Sequence, residues 1–182
     1  MNMNRKHILI PIDGSQFSQK ILPHINLLFS PESHRLTLLY VAKEVTSYDI
    51  PRKDEGLWDN VSAASRVDSV AYENQPVYAS QVEESVRDRI ETDLVPVRKT
   101  LTDSGYEVNI VVQFEKDAVE EIVRFAEAGD VDLVAMATRG RKGLRHRIVG
   151  GIFQQVLEKI HIPMLVIHPP RKNEPASSPK SD

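Results

Sequence analysis

The residues with the clearest chemical potential lie between Asp132 and Val156, in the stretch DLVAMATRGRKGLRHRIVGGIFQQV. Asp132 to Ala137 is a short apolar run, as expected of a strand buried on both faces. Thr138 to Val149 is basic and glycine-punctuated, with Arg139, Gly140, Arg141, Lys142, Arg145 and Arg147. Gly150 and Gly151 then open an amphipathic segment, with Ile152, Val156 and Ile160 on one stripe and Phe153 and Leu157 beside it. A strand, a glycine-bearing loop and a helix start leave backbone N–H groups free at the electropositive end of a helix. That arrangement suits a phosphate or another anion. The same spacing also serves a plain crossover loop whose glycines only turn the chain.

A second candidate is Asp13, which follows the β-rich run His7-Ile8-Leu9-Ile10-Pro11-Ile12 and opens the turn Asp13-Gly14-Ser15. Its carboxylate either meets a ligand at the carboxyl end of the strand or caps the next helix; its place at the strand end favours the ligand. The six histidines, His7, His24, His34, His146, His161 and His168, show no ligand spacing, so no metal site is expected. No Walker A loop or GxGxxG follows a strand, which argues against a P-loop ATPase and a dinucleotide oxidoreductase. No Ser-His-Asp grouping stands out, and no catalytic residue is assigned. The basic loop carries no interleaved aromatics, which argues against single-stranded nucleic acid.

The elements that must position these residues follow from periodicity. Gln16 to Phe29 has Phe17, Ile21, Ile25 and Leu28 at helical spacing, with Pro23 expected to kink or break the pattern. Leu36 to Val41 reads as a second strand. Val82, Val86, Ile90, Leu94, Val97 and Leu101 mark one face of a long helix, bent at Pro96 and ended by Ser104-Gly105. Tyr106 to Val112 reads as a third strand, and Asp117 caps a helix running to Ala128. Pro163 to His168 reads as the last strand, and Pro169-Pro170 stops it. The β-α alternation predicts an α/β fold: a doubly wound, five-stranded parallel sheet with helices on both faces. Ligands of such sheets bind beyond the carboxyl ends of the strands, near the point where strand order reverses.

Length and charge bound the rest. A chain of 182 residues is most simply one domain, able to bury roughly 70% of its unfolded surface. Its 23 basic and 26 acidic residues give −3, which excludes a globally basic nucleic-acid binder. There is no cysteine, compatible with a reducing cytosol, and no apolar run long enough for a signal peptide or a membrane span. The expected organisation is a domain over 1–170 with an insertion at about 45–78, and a disordered Pro/Ser/Lys tail over 171–182. Residues 45–78 fit no period and carry Trp58, Tyr48, Tyr72 and Tyr78. They form either a mobile insertion or a lid or arm that docks a protein partner through those aromatics.

The opening ILIPIDGS, the strand LTLLYVA and the block DLVAMATRGRKGLRHRIVGGIFQQVLEKIHIPMLVIHP together resemble the universal stress protein family, across roughly residues 5–168 outside the insertion. The family's glycine signature falls on Ala137, Gly140, Gly150 and Gly151. The resemblance implies the adenine nucleotide alpha hydrolase-like fold and a site for ATP, ADP or AMP. Its residues would be Pro11, Ile12, Asp13, Val41, Ala137, Arg139, Gly140, Arg141, Gly150, Gly151, Ile152 and Phe153, with Mg²⁺ accompanying a triphosphate. It also implies a cytoplasmic homodimer joined through strand 163–168 that acts as a stress-response binding module rather than a robust enzyme. A weak Mg-dependent ATPase and a nucleotide-independent interaction protein are the alternatives.

Three departures bear on the nucleotide. Ala137 stands at a glycine position, Gly151 at a hydroxyl position, and Phe153 where binding members often have a small or hydroxylated residue. A hydrogen bond to a charged group is worth roughly 1.5–3 kcal/mol, so two lost donors would cost about 3–6 kcal/mol, a hundredfold or more in affinity.

Overall fold

The computed structural model describes residues 5–43, 76–138 and 151–168. Five strands alternate with helices: β1 (Lys6–Pro11), a 3-10 turn (Ser18–Ile21), α1 (Leu22–Leu28), β2 (His34–Ala42), α2 (Pro76–Asp103), β3 (Glu107–Phe114), α3 (Ala118–Ala128), β4 (Leu133–Ala137), α4 (Ile152–Lys159) and β5 (Met164–Ile167). All strand pairs are parallel, in the order β3-β2-β1-β4-β5. The expected doubly wound sheet is therefore present, and its order reverses between β1 and β4.

Strand parity divides the core into two layers. Ile8, Ile10, Leu36 and Leu38 turn to one face and meet Ile21, Ile25, Leu94 and Leu101 from α2 and the segment joining β1 to β2. Leu9 and Leu39 turn to the other face and meet Val119, Ile122, Ala126 and Val156 from α3 and α4. Central strands apolar on both sides are what a sheet covered twice by helices requires. Among the described residues, no helix is long and apolar enough to cross a membrane.

Helix ends follow local chemistry. Asp117 caps α3, its Oδ1 accepting from the amides of Val119 (2.8 Å) and Glu120 (3.2 Å). Gly105, at φ +96°, closes α2: its amide donates to Thr102 O (2.9 Å), and that of Tyr106 donates back to Leu101 O (3.2 Å). Pro96 stands inside α2 without ending it.

The pattern from Gln16 to Phe29 is broken near Pro23, as expected: a 3-10 turn precedes α1, and Pro23 sits in the first turn of α1. Two other expectations need correction. Leu28, read as part of the inward stripe, is 57% exposed. The helix ends there, and the extended Phe29 packs against the core in its place. α2 begins at Pro76, so residues 76–78, expected in the stretch without a period, are helical. Residues 45–75 and the tail 171–182 lie outside the described residues.

Candidate functional site

The β1 strand builds the site's floor. Its amides alternate between neighbours. Lys6 N–H and Ile12 N–H donate to Ser33 O and Leu39 O on the β2 side, both at 2.8 Å. His7 N–H donates to Asp132 Oδ2 on the β4 side, also at 2.8 Å. Pro11 has the parity of His7, so its missing N–H falls on the β4 side. The pairing reflects this. β1 pairs with β2 up to Pro11↔Leu39, whereas its pairing with β4 covers Ile8↔Leu133 and Leu9↔Val134 and stops there. A proline ending a central strand thus coincides with an unzipped seam at the switch point, which is where doubly wound sheets hold ligands.

Asp13 stands at the top of that seam. The Ile12 N–H to Leu39 O bond carries the β1–β2 register past Pro11↔Leu39 and brings Asp13 level with Val41. Asp13 Oδ1 accepts from the Ser15 amide (3.0 Å) and the Ser15 hydroxyl (2.6 Å), and the Ser18 hydroxyl accepts from the Asp13 amide (3.4 Å). Partial burial pushes the carboxyl toward its neutral form, but the hydrogen bonds from Ser15 and Ser18 outweigh it and hold its pKa below the ordinary aspartate value. Asp13 is therefore a fixed, exposed carboxylate. It does not cap the 3-10 turn or α1, whose N-caps, Phe17 and Ile21, carry no side-chain cap; the turn is held instead by Ser15 Oγ, which accepts the Ser18 amide (3.2 Å). Gly14 permits the turn with φ +75°, and a Cβ there would lie 3.5 Å from the Tyr40 ring.

The start of α4 is the second component. A helix joining two parallel neighbours must run back along them, so α4 begins at the carboxyl edge where Asp13 stands. Gly151 is its N-cap, with extended dihedrals (φ −58°, ψ 168°) and no side-chain cap. Among the described residues, nothing lies within 4 Å of where its Cβ would be. Ile152 is exposed, and Phe153 is half-buried and belongs to neither core layer.

Of the residues singled out from sequence, Pro11, Ile12, Asp13, Val41 and Ala137 cluster at the carboxyl ends of β1, β2 and β4, and Gly151, Ile152 and Phe153 form the start of α4. Arg139, Gly140, Arg141 and Gly150 lie outside the described residues. The sequence reading overlooked Ser15 and Ser18 as the clamp on Asp13, and the burial of His7. The signal for His7 was available: it shares strand parity with Leu9, which faces a core layer.

Residues 4–168 match the Universal stress protein family. Universal stress protein MJ0577 of Methanocaldococcus jannaschii is 26% identical over 175 residues, spanning 95% of this chain and 99% of that protein. Universal stress protein MJ0531 of the same organism is 26% identical over 167 residues, spanning 92% and 84%. Among solved structures, hypothetical protein MJ0577 aligns with a TM-score of 0.62 at 22% identity, covering 93% of this chain and 98% of that one. A universal stress protein family protein of Arabidopsis thaliana, solved with AMP bound, aligns with a TM-score of 0.55 at 11% identity, covering 94% and 97%. These matches extend over both the β1 turn and the α4 start, and the chain belongs to the universal stress protein family.

Proposed function

We propose that this protein is a cytoplasmic, dimeric binding module regulated by an adenine nucleotide held above the β1–β4 seam. The observation that carries this is a helix start at Gly151 without a side-chain cap, clear of the other described residues, at the same edge of the sheet as the exposed carboxylate of Asp13. The two ends have opposite preferences. The amides at the start of α4 attract a phosphate. An ionised Asp13 only accepts, so it selects hydroxyl or amino donors such as those of a ribose or an adenine. A family neighbour of the same fold holds AMP, which supports the same class of ligand. The residues present fit a monophosphate, because Gly151 leaves space and Asp13 supplies an acceptor. Arg139 and Arg141 would add charge-assisted bonds, and Mg²⁺ would reach Asp13 only with a longer phosphate chain. Calorimetric titration with AMP, ADP and ATP tests this. Saturable heat that is lost in Asp13→Ala is the expected result, and no heat with any of the three at millimolar concentration would remove the nucleotide from the account.

The dimer in this proposal pairs through β5. Val134 N–H donates to Pro163 O (3.0 Å) and Thr138 N–H to Ile167 O (2.9 Å), so odd-numbered residues of this strand face β4. Met164 and Val166 therefore turn their backbone groups to the open edge of the sheet, and β5 carries no charge to protect it. A second copy pairing there would satisfy both edges by two-fold symmetry. Light scattering on Val166→Lys would then show a monomer, while an unchanged dimer would move the interface elsewhere.

A further inference from the structure

The amino end of the sheet, opposite the proposed nucleotide site, holds a buried titratable group. His7 is only 5% exposed on β1. Its Nε2 lies 2.7 Å from Thr37 Oγ1 on β2. Its Nδ1 is buried without a hydrogen-bond partner among the described residues and stands 3.5 Å from Asp130 Oδ1, beyond α3. Four charged groups surround it. Arg35 on β2 grips Asp130 Oδ2 (2.5 Å). Lys6 on β1 grips Asp132 Oδ1 (2.8 Å). Asp132 in turn accepts the His7 amide, and its own amide donates to His7 O (2.9 Å). These two bonds are the lower end of the β1–β4 seam, whose ladder above them covers Ile8 and Leu9.

We propose that His7 is an acid-sensitive latch that closes the β1–β4 seam as a neutral imidazole and loosens it when protonated. A neutral ring carrying its proton on Nδ1 accepts from Thr37 at Nε2 and turns N–H toward Asp130. An imidazolium at the same place is buried and faces a guanidinium whose charge Asp130 only partly offsets. Hydrating the cation requires the 130–132 segment to move outward, which breaks the reciprocal His7–Asp132 bonds. The electrostatics agree. Burial, then Arg35, hold the imidazole below its ordinary value of 6.5, against the opposing pull of Asp130 and Asp132. The opened state therefore binds the proton more tightly than the closed one. The latch is fully closed above about pH 6.5 and weakens as pH falls through that value.

The test is imidazole NMR of the full chain, with the His7 ring assigned by loss of its signal in His7→Gln, combined with amide exchange at Asp132. The expected ring midpoint lies below 6.5. Asp130→Asn removes the carboxylate that favours the cation and lowers the midpoint further. Arg35→Gln removes the opposing charge and raises it. Both positions are accessible enough to substitute without disturbing the core. Protection of the Asp132 amide, corrected for intrinsic exchange, falls by up to about tenfold between about pH 7.5 and 5.5, the limit set by linkage to an ordinary imidazole. A midpoint at or above 6.5, variants that leave it unmoved or shift it the other way, or protection that is flat across this range would each overturn the latch.

Discussion

Replacing Gly151 with serine separates two roles for the start of α4. The native residue has extended dihedrals that any side chain adopts, no capping side chain, and no described residue within 4 Å of where a Cβ would go. A serine there can accept the Phe153 amide through its Oγ, but serine exceeds glycine at an N-cap by only a few tenths of a kcal/mol. That corresponds to a rise in Tm of about 1 °C for a chain of this size. The hydroxyl hydrogen stays free to donate to a phosphate oxygen. A bond to a charged group contributes about 1.5–3 kcal/mol, and this exposed rim takes the lower end, so affinity for AMP should improve by about tenfold. The two effects differ enough in size to be read apart by a thermal scan and a calorimetric titration of the same preparation. A Tm raised by about a degree with an unchanged Kd would mean that the hydroxyl caps the helix and that no phosphate sits there. That result would refute the reasoning.

Other consequences concern the scaffold. Gly105→Ala places a Cβ at φ +96°, 3.4 Å from Pro31 Cγ, and loosens the α2–β3 turn. The left-handed conformation costs roughly 1–2 kcal/mol in a non-glycine residue, so denaturation midpoints should fall with no change in m-value. Asp117→Ala removes the α3 cap and should cost about 1 kcal/mol, whereas Asp117→Asn should be nearly silent in the same urea titration. The Lys6 ammonium and the His7 amide hold the Asp132 carboxyl below its ordinary value. Stability from that group is present above the unfolded pKa and declines as pH drops through the lower folded one. Asp132→Asn should therefore flatten the acid limb of a stability–pH curve, and an unchanged acid limb would assign it to other carboxylates.

Much of this architecture is legible in the sequence because its signals are local. The Asp117 cap, the Ser104-Gly105 stop and the apolar strands each carry their cause within a few residues. Where the reading went astray, distant partners decided the outcome. Leu28 has the right spacing to face inward, but the helix ends there and Phe29, in an edge contact with His34, takes the core position. The polar start of α2 near Gln81 hid its extension back to Pro76, because the periodic apolar face becomes evident only from Val82. At the site, Asp13 could be placed at a strand end from sequence, but its clamp depends on two serine hydroxyls folding back through the Gly14 turn. The His7 latch joins β1 to residues more than a hundred positions away, and no periodicity encodes that contact. The role of Pro11 follows only once strand order puts β4 on the side of its missing N–H.

The most direct test of the central claim is an amide chemical-shift map recorded while AMP is added to the uniformly labelled full chain. The account predicts saturable shifts at Ile12, Asp13, Val41, Thr138, Gly151 and Ile152, with His7, Asp130 and Asp132 at the other end of the sheet unmoved. Shifts confined to that other end, or a spectrum unaltered at millimolar AMP, would contradict it.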